Sequence, residues 1–471
     1  MVYFFATNKY VHVGIIFFIV LLFSFYSPSG NFTATPKFWR DEAIPFELAR
    51  TYYELGKMDV VVSPGQVDGR PYLTHATGYP LLIPMAGVFS VFGVGVVQAR
   101  IFMIFWIIAA VVAFFFVLKG FFGLEGASWG AILVASFAPF YANGRTFTGE
   151  IPGFLFLILA LYYLVCRKNY AAAGIFLGLA AVTKPSVYLL LIPATFFYML
   201  LADRENLFVK ALKIILGASP FFIFWVYIIV PNPFSISDWV GMIDLYRHPF
   251  DAPSILANFG AGLRYIVTHS TIIYFTLITV VTYMAFRKGG YSADGRKLFF
   301  FTVIYGAFSF IYFLRSPGWF RYLLVFQLLI LGLLFPAIDY FGKRFKFSPI
   351  VAVLALVVLQ SVNYLFFSDI QSGAKSIETA RFINSKVLSG NDSTVGFIYM
   401  PTVAAFIEPS RKFQIGTIGG KEVYGTHPLS LPPEKLPTYI IGFDGTYKEA
   451  LDAFYEPLIE APNGHMLYKK R

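Results

Sequence analysis

The run Tyr79-Pro80-Leu81-Leu82-Ile83-Pro84-Met85-Ala86-Gly87-Val88-Phe89-Ser90-Val91-Phe92-Gly93 decides the topology of everything that follows it. Its 15 residues fall short of the roughly 20 that cross a hydrocarbon core, and Pro80 and Pro84 interrupt it. It therefore reads as a re-entrant or interfacial helix. Eleven other segments read as spans, near residues 11–27, 96–118, 126–143, 150–166, 170–183, 186–202, 210–230, 270–286, 298–315, 320–340 and 349–367. With no strand-like alternation, the need to satisfy every backbone group in lipid makes them helices. Placing the N-terminus in the cytoplasm puts Lys9, Lys119, Arg167, Lys168, Arg204, Lys210, Lys213, Arg287, Lys288, Arg296, Lys297, Lys343, Arg344 and Lys346 in the inner loops. That is the bias of cytoplasmic loops toward Lys and Arg, and a twelfth span at 79–93 would reverse it.

Composition agrees. Of 471 residues 57% are hydrophobic and only 13% charged, with 55 Phe and 30 Tyr, too much apolar surface for one soluble core. The net charge of +11 is spread in short clusters between apolar runs, a pattern of membrane topology and not of a nucleic-acid surface. Neither a GxxxxGK[ST] loop nor a strand-borne GxGxxG is present, so no nucleotide site is expected. The lone Cys166 excludes a disulfide framework and a cysteine metal site. Residues 11–27 end in Tyr26-Ser27-Pro28-Ser29-Gly30 without a small-x-small cleavage pattern and read as a retained helix.

The fold expected is a polytopic α-helical membrane domain over residues 1–367 followed by a small extracytoplasmic α/β domain over 368–471. Three regions fall on the outer face: a first loop at 28–95, a second at 231–269, and the tail. The first loop carries an amphipathic pattern from Ala43 to Gly56, with Ile44, Leu48, Tyr52 and Leu55 at helical spacing, suited to the membrane interface. In the tail the expected order is a helix at 374–388, strands at 394–399, 403–407, 412–416 and 438–441, a helix at 447–454 and a strand at 465–468.

The outer ends of the spans hold few charges, and those few gather on one side of the membrane. Asp41, Glu42 and Glu150 are the carboxylates; Arg100, Arg145, Lys184, Arg315 and Arg321 are the cations. A charge facing hydrocarbon costs about 2.5–3.5 kcal/mol, so each is expected to line a polar cavity or the interface. Fixed cations suit an anionic lipid head group, with Arg gripping phosphate through its planar fork and Lys as a point charge. A carboxylate among them can remove a proton from an incoming hydroxyl.

Ordered motifs carry a resemblance. They are Arg40-Asp41-Glu42-Ala43, Thr77-Gly78-Tyr79-Pro80, Phe92-Gly93-Val94 with Gln98-Ala99-Arg100, Arg145-Thr146-Phe147-Thr148-Gly149-Glu150-Ile151-Pro152, Gly178-Leu179-Ala180-Ala181-Val182-Thr183-Lys184-Pro185, and Arg321-Tyr322. In this order the chain resembles the C-type (GT-C) membrane glycosyltransferases, most closely the family 39-like group of protein O-mannosyltransferases and aminoarabinose lipid A transferases. The resemblance implies Asp41 as general base, with Glu42 as second choice. It implies Glu150 as a second acid near the acceptor, and Arg100, Lys184 and Arg321 around the donor phosphate; Arg145 and Arg315 join that group from the charge pattern alone. His75 and Tyr79, beside the matching motif, and His248, placed by the topology in the second outer loop, are the candidate substrate contacts. His75 departs from the family pattern, standing in His75-Ala76-Thr77-Gly78-Tyr79-Pro80 where many relatives have His-Pro-Pro-Leu or Lys-Pro-Pro-Leu. No Trp-Trp-Asp element is present in the tail, which argues against transfer of whole glycans to asparagine.

The six His residues contain no pair at the i, i+4 spacing of a helical zinc site, so no metal is required; a divalent ion between Glu150 and His248 is the one such site to test. The function expected is transfer of a monosaccharide from a polyprenyl-phosphate donor to a hydroxyl on protein, lipid or glycan. It would occur at the extracytoplasmic face of a plasma or ER-type membrane, with inversion implied by the resemblance. A lipid or glycolipid transporter or flippase is the alternative, but such proteins tend to carry midplane charges and related halves. A non-catalytic scaffold would leave Asp41 and Glu42 as ordinary residues of a helix start.

Overall fold

The computed structural model describes residues 9–27, 31–69, 76–230, 232–240, 255–316, 318–367, 370–371, 373–388, 393–418, 421–425, 427–442 and 448–471. The protein is a mostly helical integral membrane protein with a small mixed sheet near its C-terminus. Among the described residues seven helices are long and apolar enough to cross a bilayer: Val96–Ala135, Pro185–Ala202, Leu207–Ile229, Ser270–Arg287, Ala293–Arg315, Phe320–Phe345 and Pro349–Phe367. Shorter apolar helices run Val13–Phe25, Tyr79–Phe92, Glu150–Cys166 and Tyr170–Thr183. The 40-residue helix is broken at Gly123, whose φ of 71° leaves the helical region. At about 1.5 Å per residue an unbroken rod of that length would be twice the thickness of a hydrocarbon core.

Phe320–Phe345 is the most enclosed of the seven and stands at the centre of the bundle. Its Leu328, Ile330, Leu331 and Leu333 join Ile107, Phe114, Leu118 and Leu133 of Val96–Ala135 and Phe154 and Leu157 of Glu150–Leu161 in one apolar core. A second core lies at the end where the first loop packs, formed by Phe38, Phe46, Leu48, Leu82, Met85, Phe89, Met103 and Phe147. The Tyr79–Phe92 helix belongs to this second core, burying Leu81, Leu82, Met85 and Phe89 while Val91 and Phe92 stay exposed.

The first-loop helix runs Arg40–Leu55, and Gly56 closes it in the left-handed region, its N–H donating to the Tyr52 carbonyl. Its buried face follows the expected stripe at Leu48 and partly at Ile44, but departs from it at Leu55. Leu55 and Tyr53 are exposed, whereas Glu42, Phe46, Glu47, Leu48, Ala49 and Arg50 are enclosed. The reason is a second partner: the helix is sandwiched between Tyr79–Phe92 and the tail, and Phe406 of the tail packs on Phe38 and Phe46 with ring centroids 4.9 and 5.3 Å away.

Among the described residues the tail sheet has six strands, β1 (Val395–Ile398), β2 (Lys412–Ile418), β3 (Lys421–Gly425), β4 (Tyr439–Ile441), β5 (Tyr455–Glu460) and β6 (Met466–Lys470), in the spatial order β3-β2-β1-β4-β6-β5. Strand β1 is parallel to β2 and β4, and the other pairings are antiparallel. Two expectations are corrected. Residues 403–407 form no strand: Pro401, well suited to a first helical position, opens the short helix Pro401–Ala404 instead. The two edge strands, β3 and β5, are absent from the expected order; β5 contains Pro457, whose missing N–H costs little at the sheet edge.

Candidate active site

Trp39 is extended and the helix begins at Arg40, so both acids of the first loop sit in the first turn, where the helix dipole favours negative charge. They face different surroundings. Asp41 forms an ion pair with Arg321, and its side chain is 32% exposed. Burial alone would raise its carboxyl, but the charges of Arg321 and Lys184 outweigh that and hold it below the usual range.

Glu42 is completely enclosed. Its Oε2 lies 2.9 Å from Arg100 Nη2, and its Oε1 accepts from the Phe147 amide at 3.2 Å. Burial pushes its carboxyl up to about 7, against the pull of Arg100 and the amide.

Three motifs named from the sequence cross beside this helix. The Gly78 amide donates to the Thr183 carbonyl at 3.0 Å, and Thr77 Oγ1 donates to the Thr148 carbonyl at 3.2 Å. Only glycine fits at position 78, where a Cβ would lie 1.8 Å from the Val182 carbonyl oxygen. Gly149, with φ of 90°, lets the chain turn past Thr183 into the helix that starts at Glu150. Lys184 lies between two helices, with Pro185 opening the second. Its Nζ lies 3.8 Å from Glu150 Oε1 and donates to Thr77 Oγ1 at 3.4 Å. Tyr188 Oη, one helical turn on, donates to the Glu150 carbonyl and fixes that helix start. Glu150 Oε2 is buried and has no hydrogen-bond partner among the described residues.

Arg321, in the turn Phe320–Leu323, completes the group. Three rings surround its guanidinium: Trp319 at 4.5 Å, Trp39 at 5.1 Å and Tyr322 at 5.4 Å. Its charge and that of Lys184 act on both Asp41 and Glu150. Two carboxylates and two cations thus form one cluster, in which Lys184–Glu150 is the sealed pair and Arg321–Asp41 the open one.

The structure does not bring every expected residue here. Arg100 and Arg145, expected to hold phosphate, are both 0% exposed. Arg100 donates to the Pro36 and Arg145 carbonyls besides Glu42, and Arg145 donates to the Tyr26 carbonyl at 2.6 Å. Both tie the first loop to the bundle, while Arg100 Nε and Arg145 Nε and Nη2 are buried with no hydrogen-bond partner among the described residues. Arg315 is half-buried at the end of Ala293–Arg315, and its carbonyl accepts from Asn258 Nδ2 at 3.0 Å. Tyr79 starts its helix, and its hydroxyl donates to the Phe221 carbonyl at 3.5 Å. His75 and His248 lie outside the described residues. The divalent-ion site between Glu150 and His248 therefore falls partly outside the described residues; Glu150 Oε1 itself lies 3.8 Å from the Lys184 ammonium, and among the described residues no three His, Cys, Asp or Glu side chains converge. The aromatic frame of Arg321 was not anticipated, although Trp39 adjoins the acid pair and Trp319 and Tyr322 flank Arg321 in sequence.

Comparison with known proteins bears out the resemblance. Residues 79–229, about a third of the chain, match the family described as dolichyl-phosphate-mannose-protein mannosyltransferase. The crystal structure of ArnT from Cupriavidus metallidurans bound to undecaprenyl phosphate is similar with a TM-score of 0.67 and 13% identity, covering 97% of each chain. The same protein in the apo state gives 0.65 and 14%, again over 97% of each chain. Archaeal oligosaccharyltransferase AglB from Archaeoglobus fulgidus, in complex with an inhibitory peptide and a dolichol-phosphate, gives 0.56 and 13%, covering 98% of this chain and 74% of that one. No curated protein matches the chain in sequence. At these identities the solved structures share the fold.

Proposed function

We propose, from the family match over residues 79–229 and the fold shared with ArnT and AglB, that this membrane protein is a glycosyltransferase. It moves one monosaccharide from a polyprenyl phosphate to a hydroxyl on protein, lipid or glycan. Eleven spans, with the site and the 368–471 domain outside and the N-terminus in the cytoplasm, account best for the basic inner loops. In support, the first-loop helix that carries Asp41 is also the helix on which the tail packs.

The observation that carries this reading is the partly open cluster of Asp41, Glu150, Lys184 and Arg321. The acceptor oxygen attacks the anomeric carbon as its proton passes to Asp41. The bond from that carbon to the phosphate oxygen breaks, and its electron pair leaves on the phosphate, beside Arg321 and Lys184. A single displacement of this kind inverts the anomeric centre. Cations fixed where charge develops and a base aimed at the nucleophile are the two contributions the chain makes. Glu42 has both oxygens engaged and serves as a positioning residue, which leaves Asp41 as the base.

Mass spectrometry of glycolipids and glycoproteins from cells with and without the chain tests the reading. Loss of one monosaccharide from a defined acceptor is expected, restored by the native chain and not by Asp41→Asn, whose rate should fall about 10²- to 10⁴-fold. Full restoration by Asp41→Asn would remove Asp41 from the base role.

A further inference from the structure

Each cation of the site is already matched by a carboxylate: Lys184 by Glu150 and Arg321 by Asp41. An incoming phosphate must therefore displace one of the acids. The two pairs differ in what they offer. The side chains of Lys184 and Glu150 are 4% and 1% exposed, and Lys184 is further bound by Thr77 Oγ1. Asp41 is the accessible partner of the other pair, and its short side chain can swing away. Arg321 is the fixed one, since Trp39, Trp319 and Tyr322 surround its guanidinium and a cation against aromatic faces is held there. The planar fork that meets a carboxylate can meet a phosphoryl group equally well.

We propose that the phosphoryl group of the lipid donor takes Arg321 from Asp41, so that filling the phosphate site is what frees the carboxylate to receive the acceptor's proton. This rests on the glycosyltransferase reading and adds an order to it. In the empty protein the base is neutralised by contact with a cation and is a weak proton acceptor. With donor bound it loses that contact, faces new negative charge, and becomes a stronger base while the leaving group gains a counter-ion. One residue thereby couples donor occupancy to base strength.

The test is equilibrium binding of undecaprenyl phosphate, which carries no sugar, to the purified full chain in detergent. Asp41→Asn removes the competitor for Arg321 and should tighten binding by about fivefold or more, the scale of an ordinary coupling between sites. Asp41→Glu keeps a competing carboxylate and should not tighten it. Arg321→Ala should weaken binding, and adding Asp41→Asn to it should then change nothing. If Asp41→Asn tightens binding equally in the Arg321→Ala background, the effect is general repulsion and the exchange is overturned. Unchanged or weaker binding by a folded, monodisperse Asp41→Asn chain also overturns it, while leaving sugar transfer standing. No binding by the native chain overturns both.

Discussion

Consecutive side chains on a helix point about 100° apart, so Asp41 can be partly exposed while Glu42 is enclosed by the protein. Glu42 and Arg100 form an ion pair with no exposure on either side, an arrangement whose value lies in fixing geometry more than in net stability. Glu42→Ala leaves a buried guanidinium unpaired and should cost about 3–5 kcal/mol, read as a fall in the melting temperature of the detergent-solubilised chain. A pH effect follows from the same carboxyl. Its folded value of about 7 lies above the ordinary 4.5, so the folded chain holds a proton that the unfolded chain releases between those values. The associated stability is complete below about pH 4.5 and is lost as pH rises through 7, at most about 3 kcal/mol. The stability of the native chain relative to Glu42→Gln, read from melting curves across that window, should fall as pH rises; a pH-independent difference would refute the linkage.

The elements that build the site are short segments between helices, and their closeness depends on missing side chains. Gly78 is the clearest case, because the segment lies against Val182 and Thr183 at a distance no Cβ allows. Gly78→Ala must push Thr77 away from Lys184, and a displacement near 1 Å at such a site costs about 10²-fold in rate. The measurement is transfer by Gly78→Ala after confirming membrane insertion and monodispersity; near-native transfer would show that the crossing does not set the geometry. The motifs themselves were legible, since Thr77-Gly78, Gly149-Glu150 and Lys184-Pro185 could be named before any coordinates. What could not be read was their use. A charge near a helix end has the same sequence signature whether it meets a carboxylate inside the protein, as Arg100 does, or borders an open site, as Arg321 does. The two outcomes differ only through packing between segments far apart in the chain.

At the scale of the molecule, the mostly helical membrane character was legible because lipid imposes apolar helices, while the contact between the tail and the first loop was hidden in residues that read as ordinary surface charges. Glu47 Oε1 accepts from Lys412 Nζ at 2.6 Å, Gln414 Nε2 at 2.7 Å and the Val61 amide at 3.2 Å. Arg50 Nη1 donates to the Ala405 and Ile407 carbonyls at 3.1 and 2.8 Å. About one turn of the helix that starts at Arg40, from Glu47 to Arg50, is thus bolted to the tail, and Lys412 and Glu47 are as enclosed as core residues. Lys412→Met leaves Glu47 charged and buried, so it should destabilise the chain by about 3–5 kcal/mol, whereas Lys412→Met with Glu47→Leu should recover most of that because a buried pair can be exchanged for apolar side chains at little cost. If the tail only shelters the site, transfer should follow stability and return in the double variant. If the polar lock also sets the angle of the helix, stability should return while transfer stays at least tenfold low, because Gln414 and the Val61 amide have lost their shared acceptor. Melting temperature and transfer rate measured on the same three preparations decide between them, and the dense set of hydrogen bonds on Glu47 Oε1 favours the second outcome.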